Sequence, residues 1–319
     1  MSASWAHSGI RAVLAAALLV LATPALAVDT LLPIKPGQSA GTVLIPKLGF
    51  TGLGVVMVAG SGPTDRNGNQ PRLTNNGLKM LAEALARRGI ASARYDKRFS
   101  GKTRLRAYGE KDIRFDHFVD DAIAWATHLK KQPGVRRIAF IGHSQGGLIA
   151  TLAAMRVKAG RLVLLAAPGF NIADTLKRQF TRAIPDKTMR EPVIAVIDQL
   201  RRGQLASNYG GLARQFFRPS IQSFLISWMS HDPAERLKAF GGGVLIVQGT
   251  RDLQVTPDEG ARLKKAKPAA TLVTIKGMNH VLKAPGPGRA ANAAAYNDPN
   301  LPLAAGLVDA IAKFLSAKH

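Results

Sequence analysis

Apolar and polar positions along this chain follow two alternating rhythms. Short unbroken apolar runs, the mark of strands covered on both faces, occupy residues 54–60, 137–141, 161–167, 243–249 and 270–276. Weaker strand patterns cover 41–46 and 90–95. Between them lie stretches with helical spacing. Residues 78–88 form an amphipathic helix closed by Gly89, 115–131 one stopped by Pro133-Gly134, 148–155 a third, and 303–317 a last one carrying Leu307, Ile311, Phe314 and Leu315. Strands alternating with helices predict an α/β fold with a mostly parallel central sheet flanked by helices.

The rhythm changes after Pro168-Gly169. Ile172, Leu176, Phe180 and Ile184 recur every four residues, Val193, Ile197 and Leu200 continue at helical spacing, and 221–229 adds apolar bulk. No strand pattern interrupts residues 169–240. They read as a helical cap inserted late in the sheet, between a first core part at 28–168 and a second at 241–319. Helices that merely cover a sheet edge are the alternative. The Pro/Gly-rich stretch after His280 reads as a loop that stays near whatever His280 does.

Residues 1–27 stand apart. Arg11 precedes an apolar run at 12–21, and Ala25-Leu26-Ala27 offers the small residues a signal peptidase prefers, so a cleavable export signal cut after Ala27 is expected. The run is short for a membrane span, which makes an uncleaved anchor the weaker reading. The 319-residue chain has no cysteine, which excludes disulfides, cysteine-ligated metals and a lipoprotein anchor. A periplasmic or extracellular protein is expected.

Hydrophobic residues make up 46% of the chain, enough for a substantial core, and the formal net charge is +24. Basic doublets such as Arg87-Arg88 and Arg136-Arg137 are dispersed, with no long basic block and no aromatic-interleaved motif. Specific nucleic-acid binding is therefore not expected. Attraction to an anionic envelope surface stays open.

The candidate chemistry begins at Gly142-His143-Ser144-Gln145-Gly146, behind one apolar run and ahead of a helix. A Gly-x-Ser-x-Gly turn from strand to helix lifts the Ser144 hydroxyl above the sheet, and Gly142 and Gly146 lack the β-carbons that would collide there. Serine needs a base, and the base an orienting carboxylate. Asp252 follows one strand run and His280 the next, giving the order serine, acid, histidine.

Other carboxylates and imidazoles fit less well. Asp258 lies in Thr256-Pro257-Asp258-Glu259, a helix-start box with Thr256 as cap and Glu259 reaching back. His143 occupies the turn's x position, where its side chain is expected to turn aside and pack. His117 and His128 fall within one helix, and His231 at a helix entry. For an oxyanion, the Gln145 N–H is one expected donor and the Ser61 N–H, in the loop 60–69, the second. That loop lacks the lysine and Ser/Thr ending of a phosphate-binding loop. No cofactor and no metal are expected.

Together, Gly60-Ser61-Gly62-Pro63-Thr64-Asp65-Arg66-Asn67-Gly68-Asn69, Tyr95-Asp96-Lys97-Arg98, the serine turn, Gly249-Thr250-Arg251-Asp252 and Met278-Asn279-His280 resemble the α/β-hydrolases of the bacterial esterase and serine-aminopeptidase-like group. The resemblance spans nearly all of the chain after residue 27. It implies a serine hydrolase acting on a small-molecule ester or acyl substrate through Ser144, His280 and Asp252. Peptidase or thioesterase activity, and a non-enzymatic envelope binder, are the alternatives. Similar proteins often carry histidine-glycine where this chain has Ala59-Gly60. Their Tyr-Asp-Lys-Arg segment implies that residues 95–98 brace the oxyanion loop through charge pairs, a solvated turn being the alternative. The apolar residues of the cap favour an uncharged acyl chain.

Overall fold

A computed structural model describes residues 25–317. Nine strands form one sheet: β1 (Leu26–Ile34), β2 (Gly37–Ile45), β3 (Leu53–Val58), β4 (Ala91–Tyr95), the short β5 (Arg104–Leu105), β6 (Arg137–His143), β7 (Arg161–Leu165), β8 (Gly243–Gly249) and β9 (Thr271–Ile275). Their order is β1-β2-β4-β3-β6-β7-β8-β9, with β5 paired to β2. β1, β2 and β4 pair antiparallel, whereas every pairing from β4 through β3 to β9 is parallel. The apolar runs of the sequence are the parallel strands. β3 and β7 are buried at every position because helices cover both faces.

The helices are α1 (Gly77–Ala86), α2 (Phe115–Lys130), α3 (Gln145–Arg156), α4 (Ile172–Ala183), α5 (Lys187–Arg201), α6 (Gly211–Phe216), α7 (Pro219–Met229), α8 (Pro233–Ala239), α9 (Pro257–Ala266), α10 (Gly288–Ala294) and α11 (Leu307–Ser316). Trp125, Phe115 and Val119 of α2 and Ile149 and Ala153 of α3 pack on one face of the sheet. Leu81 and Leu85 of α1 and Leu307, Ile311 and Leu315 of α11 pack on the other. The spacing of these side chains is the helical periodicity read from the sequence.

Between β7 and β8 the chain forms α4 to α8 and no strand. This insertion has its own apolar cluster, built on Val193, Ile197, Leu200, Phe217 and Leu225. It is moored to α2 by aromatic contacts: Trp228 stacks on Phe115 with centroids 5.6 Å apart, and Phe224 meets Phe118 edge-on at 5.9 Å.

Two expectations change here. The helix-start box at residues 256–259 is not a reciprocal cap. Thr256 precedes α9 without a side-chain cap bond, and the Glu259 carboxylate instead accepts from the Gly169 and Phe170 amides at 2.7 and 2.9 Å. Those orphan N–H groups open the insertion, so Glu259 ties its entry to the core. Burial pushes the Glu259 carboxyl upward, against the two amides and Arg178. The second change is β1, which the apolar pattern did not single out. Leu26 and Ala27 lie within it, opposite Ile45 and Leu44, so a cut after Ala27 trims its first two pairs. Residues 1–24 of the expected signal lie outside the described residues. Among the described residues no helix is long and apolar enough to cross a membrane, and no cluster of three His, Asp or Glu side chains could hold a metal.

Candidate active site

The parallel strands share a direction, so their C-terminal ends meet along one edge of the sheet. Four of the loops that leave that edge carry the candidate residues: Gly60 and Ser61 after β3, Ser144 after β6, Asp252 after β8 and His280 after β9. Ligand-binding groups collect at such an edge in open α/β sheets.

Ser144 sits at φ 53°, ψ −126°, a strained left-handed backbone for a residue with a β-carbon. The turn is enforced from both sides. The Ser144 N–H donates to the Leu165 carbonyl, and the Gly147 N–H donates to the Ser144 carbonyl. A β-carbon on Gly142 would stand 2.3 Å from the Gly146 carbonyl oxygen, and one on Gly146 would stand 2.3 Å from that of Val58. Both obstacles are backbone, which cannot swing away. Gly146→Ala is therefore expected to destabilise the fold by about 3 kcal/mol or more, read from the urea midpoint.

Asp252 is 3% exposed and His280 5%. Asp252 Oδ2 lies 2.8 Å from His280 Nδ1, while Oδ1 accepts from the Gln254 and Val255 amides at 2.8 and 2.9 Å. With one oxygen engaged by its own loop, the carboxylate offers the other to the imidazole. That bond assigns the proton to Nδ1 and leaves Nε2 as an acceptor.

His143 packs against His280 and lines the same cavity as Ser144. Its Nε2–H donates to the His280 carbonyl at 2.7 Å, and the two rings lie 4.8 Å apart. Burial, and then the neighbouring His280, push the His143 imidazole down to about 4. The unfolded chain takes this proton near pH 6.5, and the folded one only near 4. Acid therefore favours unfolding through this group: its contribution is intact above pH 6.5 and lost as pH falls to 4. His143→Gln keeps an N–H donor but cannot titrate. Wild type is expected to lose up to about 3 kcal/mol more than this variant across that window, measured by urea unfolding at pH 7 and pH 4.

Ser144, His280, Ser61 and Gly60 line one cavity of about 240 Å³, together with Gln70, Gln254 and Tyr296. No Ser144–His280 hydrogen bond within 3.5 Å is formed; such bonds are often long without substrate and tighten in the complex. Neither the Ser61 N–H nor the Gln145 N–H donates to a protein acceptor among the described residues. Both amides anticipated for an oxyanion are thus unspent.

The Tyr-Asp-Lys-Arg segment does brace the loop 60–69 through a charge pair. Asp96 accepts from the Arg66 N–H at 2.8 Å and from its guanidinium at 3.0 and 2.9 Å. Burial raises the Asp96 carboxyl, but the bonds from Arg66 and from the Lys102 amide outweigh it and leave it below the ordinary range. Arg98 pairs instead with buried Asp121.

One expectation is corrected. No residue of 169–240 lines the Ser144 cavity, so the insertion's apolar side chains do not form its walls. They are spent on the insertion's own cluster, on α2 and, at Leu237 and Phe240, on the core that covers one face of the sheet. The walls come instead from the loop after β3 and from the stretch after His280, which contributes Val281 and Tyr296 as its position suggested. Gln70, Gln254 and Tyr296 were not anticipated. Gln254 donates to the Tyr296 hydroxyl at 2.8 Å, and burial pushes that phenol up to about 12. These residues sit in irregular loops, where no periodicity marks them; only the proximity of Gln254 to Asp252 hinted at one.

A profile of the Hydrolase_4 family, described as serine aminopeptidase, S33, matches residues 75–283, well over half of the chain. The chain belongs to this family. The matched span begins after the loop 60–69 and ends just past His280, so it includes Ser144, Asp252 and His280. Esterase EstD of Thermotoga maritima is 26% identical over 251 residues, which are 76% of this chain and 57% of that protein. The chain thus spans little more than half the length of that relative. Est1E from Butyrivibrio proteoclasticus, solved with ferulic acid bound, aligns at TM-score 0.57 and 17% identity, covering 90% of this chain and 96% of that one. Proline iminopeptidase of Mycobacterium smegmatis aligns at 0.55 and 16%, covering 80% and 92%. At such identities the likeness is one of fold. For this S33 member the fold is the α/β-hydrolase fold.

Proposed function

We propose that the protein is an exported serine hydrolase that cleaves small carboxylic esters through an acyl-enzyme. Ser144 Oγ attacks the ester carbonyl while His280 Nε2 takes its proton. The Gln145 and Ser61 amides hold the oxyanion of the tetrahedral intermediate. His280 returns the proton to the departing alkoxide, leaving an acyl group on Ser144. Water then attacks that ester as His280 takes its proton, and His280 returns that proton to Ser144 Oγ as the acyl C–O bond breaks and the carboxylic acid departs. Asp252 keeps the imidazole in the tautomer that can accept. The observation that carries this reading is the 2.8 Å Asp252–His280 bond, which presents the imidazole in the cavity that Ser144 also lines.

The family description makes aminopeptidase action the second reading. An aminopeptidase must neutralise a substrate ammonium, and no carboxylate lines this cavity. That favours an uncharged ester. Its 240 Å³ favours short acyl groups. A panel of p-nitrophenyl esters from acetate to decanoate, run beside aminoacyl p-nitroanilides and acyl thioesters, tests this. Turnover led by aminoacyl anilides would overturn it.

Export rests on residues 1–27; a secreted product whose N-terminus is Val28 supports it, and retention of Met1 contradicts it. Association with anionic surfaces draws support from a second cavity of about 510 Å³ where β3, β6 and β7 begin. Lys130, Lys131, Arg136, Arg137, Lys158 and Arg161 line it with no carboxylate. Sedimentation with anionic vesicles that vanishes in salt would support it, and salt-independent absence of binding would exclude it.

A further inference from the structure

Lys97 follows β4 and is 2% exposed, with no carboxylate among its hydrogen-bond partners. Its Nζ donates to the Gly60 carbonyl and to the Gln145 side-chain oxygen, each at 2.7 Å, and lies 4.8 Å from the centre of the Phe118 ring. An ammonium this deep costs several kcal/mol to desolvate unless it serves some end. Burial pushes it down to about 7. Amine and ammonium both carry the two N–H donors these bonds require.

What the two acceptors have in common is the oxyanion hole. The only cis peptide among the described residues is Lys35-Pro36, so the Gly60–Ser61 peptide is trans. In a trans peptide the C=O of one residue and the N–H of the next point in opposite directions. With the Gly60 carbonyl drawn inward to buried Lys97, the Ser61 N–H faces the other way, and Ser61 lines the Ser144 cavity. The following carbonyl is pinned as well, since the Ser61 oxygen accepts from Thr64 Oγ1 and Gln70 Nε2 at 2.8 Å each. The second acceptor, Gln145, carries the other expected donor on its backbone, directly after Ser144.

We infer that Lys97 is a positioning residue of the oxyanion hole, a buried clamp that aims the Ser61 N–H and locks its loop to the residue following the nucleophile. The inference rests on the proposed acyl-transfer reading. It also gives the family's Tyr-Asp-Lys-Arg segment two separable tasks. Asp96 holds the loop's far side through Arg66, and Lys97 holds the loop's peptide group that offers the Ser61 N–H.

The test compares kcat and KM on p-nitrophenyl acetate, and inhibition by a small alkyl boronic acid that forms a tetrahedral adduct, in three variants whose folding is checked by thermal melting. Lys97→Met removes both donors at similar volume. Its kcat is expected to fall about 10²- to 10³-fold, the usual effect of losing one oxyanion donor, with KM within about threefold. Boronate affinity should weaken in step with kcat, which a merely structural role would not cause. Gln145→Leu keeps the backbone donor but removes one anchor, and should cost about tenfold. Once Lys97 is gone that anchor has no partner, so the double variant should match Lys97→Met alone within about threefold. Should Lys97→Met not fold, Gln145→Leu decides by itself. A folded Lys97→Met at near wild-type kcat, a Gln145→Leu at wild-type kcat, or strictly additive losses would overturn the clamp. Full activity in Ser144→Ala would instead overturn the reading beneath it.

Discussion

Replacing Ser144 with alanine is expected to lower kcat on p-nitrophenyl acetate by about 10⁶-fold, leaving a residual rate that owes everything to binding and the oxyanion donors. The size reflects the site's construction. Removing the hydroxyl removes the only atom that forms a bond to substrate, and His280 is then a base with nothing to deprotonate except water. KM should change little, because no other wall of the cavity is altered. The strained backbone at φ 53° belongs to the turn rather than to the hydroxyl, so the alanine variant should fold normally. Titrating both proteins with a fluorophosphonate before assay guards against traces of wild-type enzyme. A variant retaining a tenth of the wild-type rate would remove Ser144 from the mechanism.

The second large effect is expected at Asp252→Asn, a drop of about 10⁴-fold in kcat with the fold intact. Its cause is a tautomer. Asp252 Oδ1 accepts from the Gln254 and Val255 amides, so an asparagine will keep its carbonyl oxygen there. Its NH₂ group then faces His280 Nδ1, where a carboxylate oxygen stood at 2.8 Å. A donor opposite Nδ1 makes that nitrogen the acceptor and moves the ring proton to Nε2. The nitrogen that should receive the serine proton is now blocked. Steady-state kinetics beside a urea melt separates this from unfolding. Loss of activity proportional to loss of folded protein would assign Asp252 a structural role instead.

How much of this was legible in the sequence depends on whether the constraint is local. Gly142 and Gly146 are written into the chain because backbone atoms 2.3 Å from their absent β-carbons leave no alternative. Asp252 and His280 were legible because each comes after an apolar run long enough to be a buried strand, and parallel strands deliver their C-terminal loops to one edge. The box at 256–259 misled for the opposite reason. Its pattern is local, but Glu259 finds better partners in two amides some ninety residues away. The insertion's helices were legible from their spacing, yet periodicity says which face is apolar and not what that face meets. It meets α2, the core on one face of the sheet and itself. β1 has no apolar run of its own, since it is an edge strand exposed along much of its length and held by its pairing to β2.

Lys97 shows the limit most plainly. Within Tyr-Asp-Lys-Arg, among charged neighbours, it reads as one more solvated cation or charge-pair partner. Asp96 and Arg98 do form ion pairs, with Arg66 and Asp121. Lys97 is instead enclosed by three segments that are distant in sequence: the loop after β3, Phe118 of α2 and the start of α3. Burial of that kind is a property of the assembled fold and leaves no mark on the neighbouring residues.

The most direct measurement is active-site labelling with a fluorophosphonate, followed by intact-mass analysis and peptide mapping of wild type and His280→Ala. A reactive serine needs its base, so wild type is expected to take up one label, on the peptide containing Ser144, with loss of esterase activity in proportion. His280→Ala should stay essentially unlabelled over the same time. Labelling at another residue, or full turnover in protein that takes no label, would contradict the account.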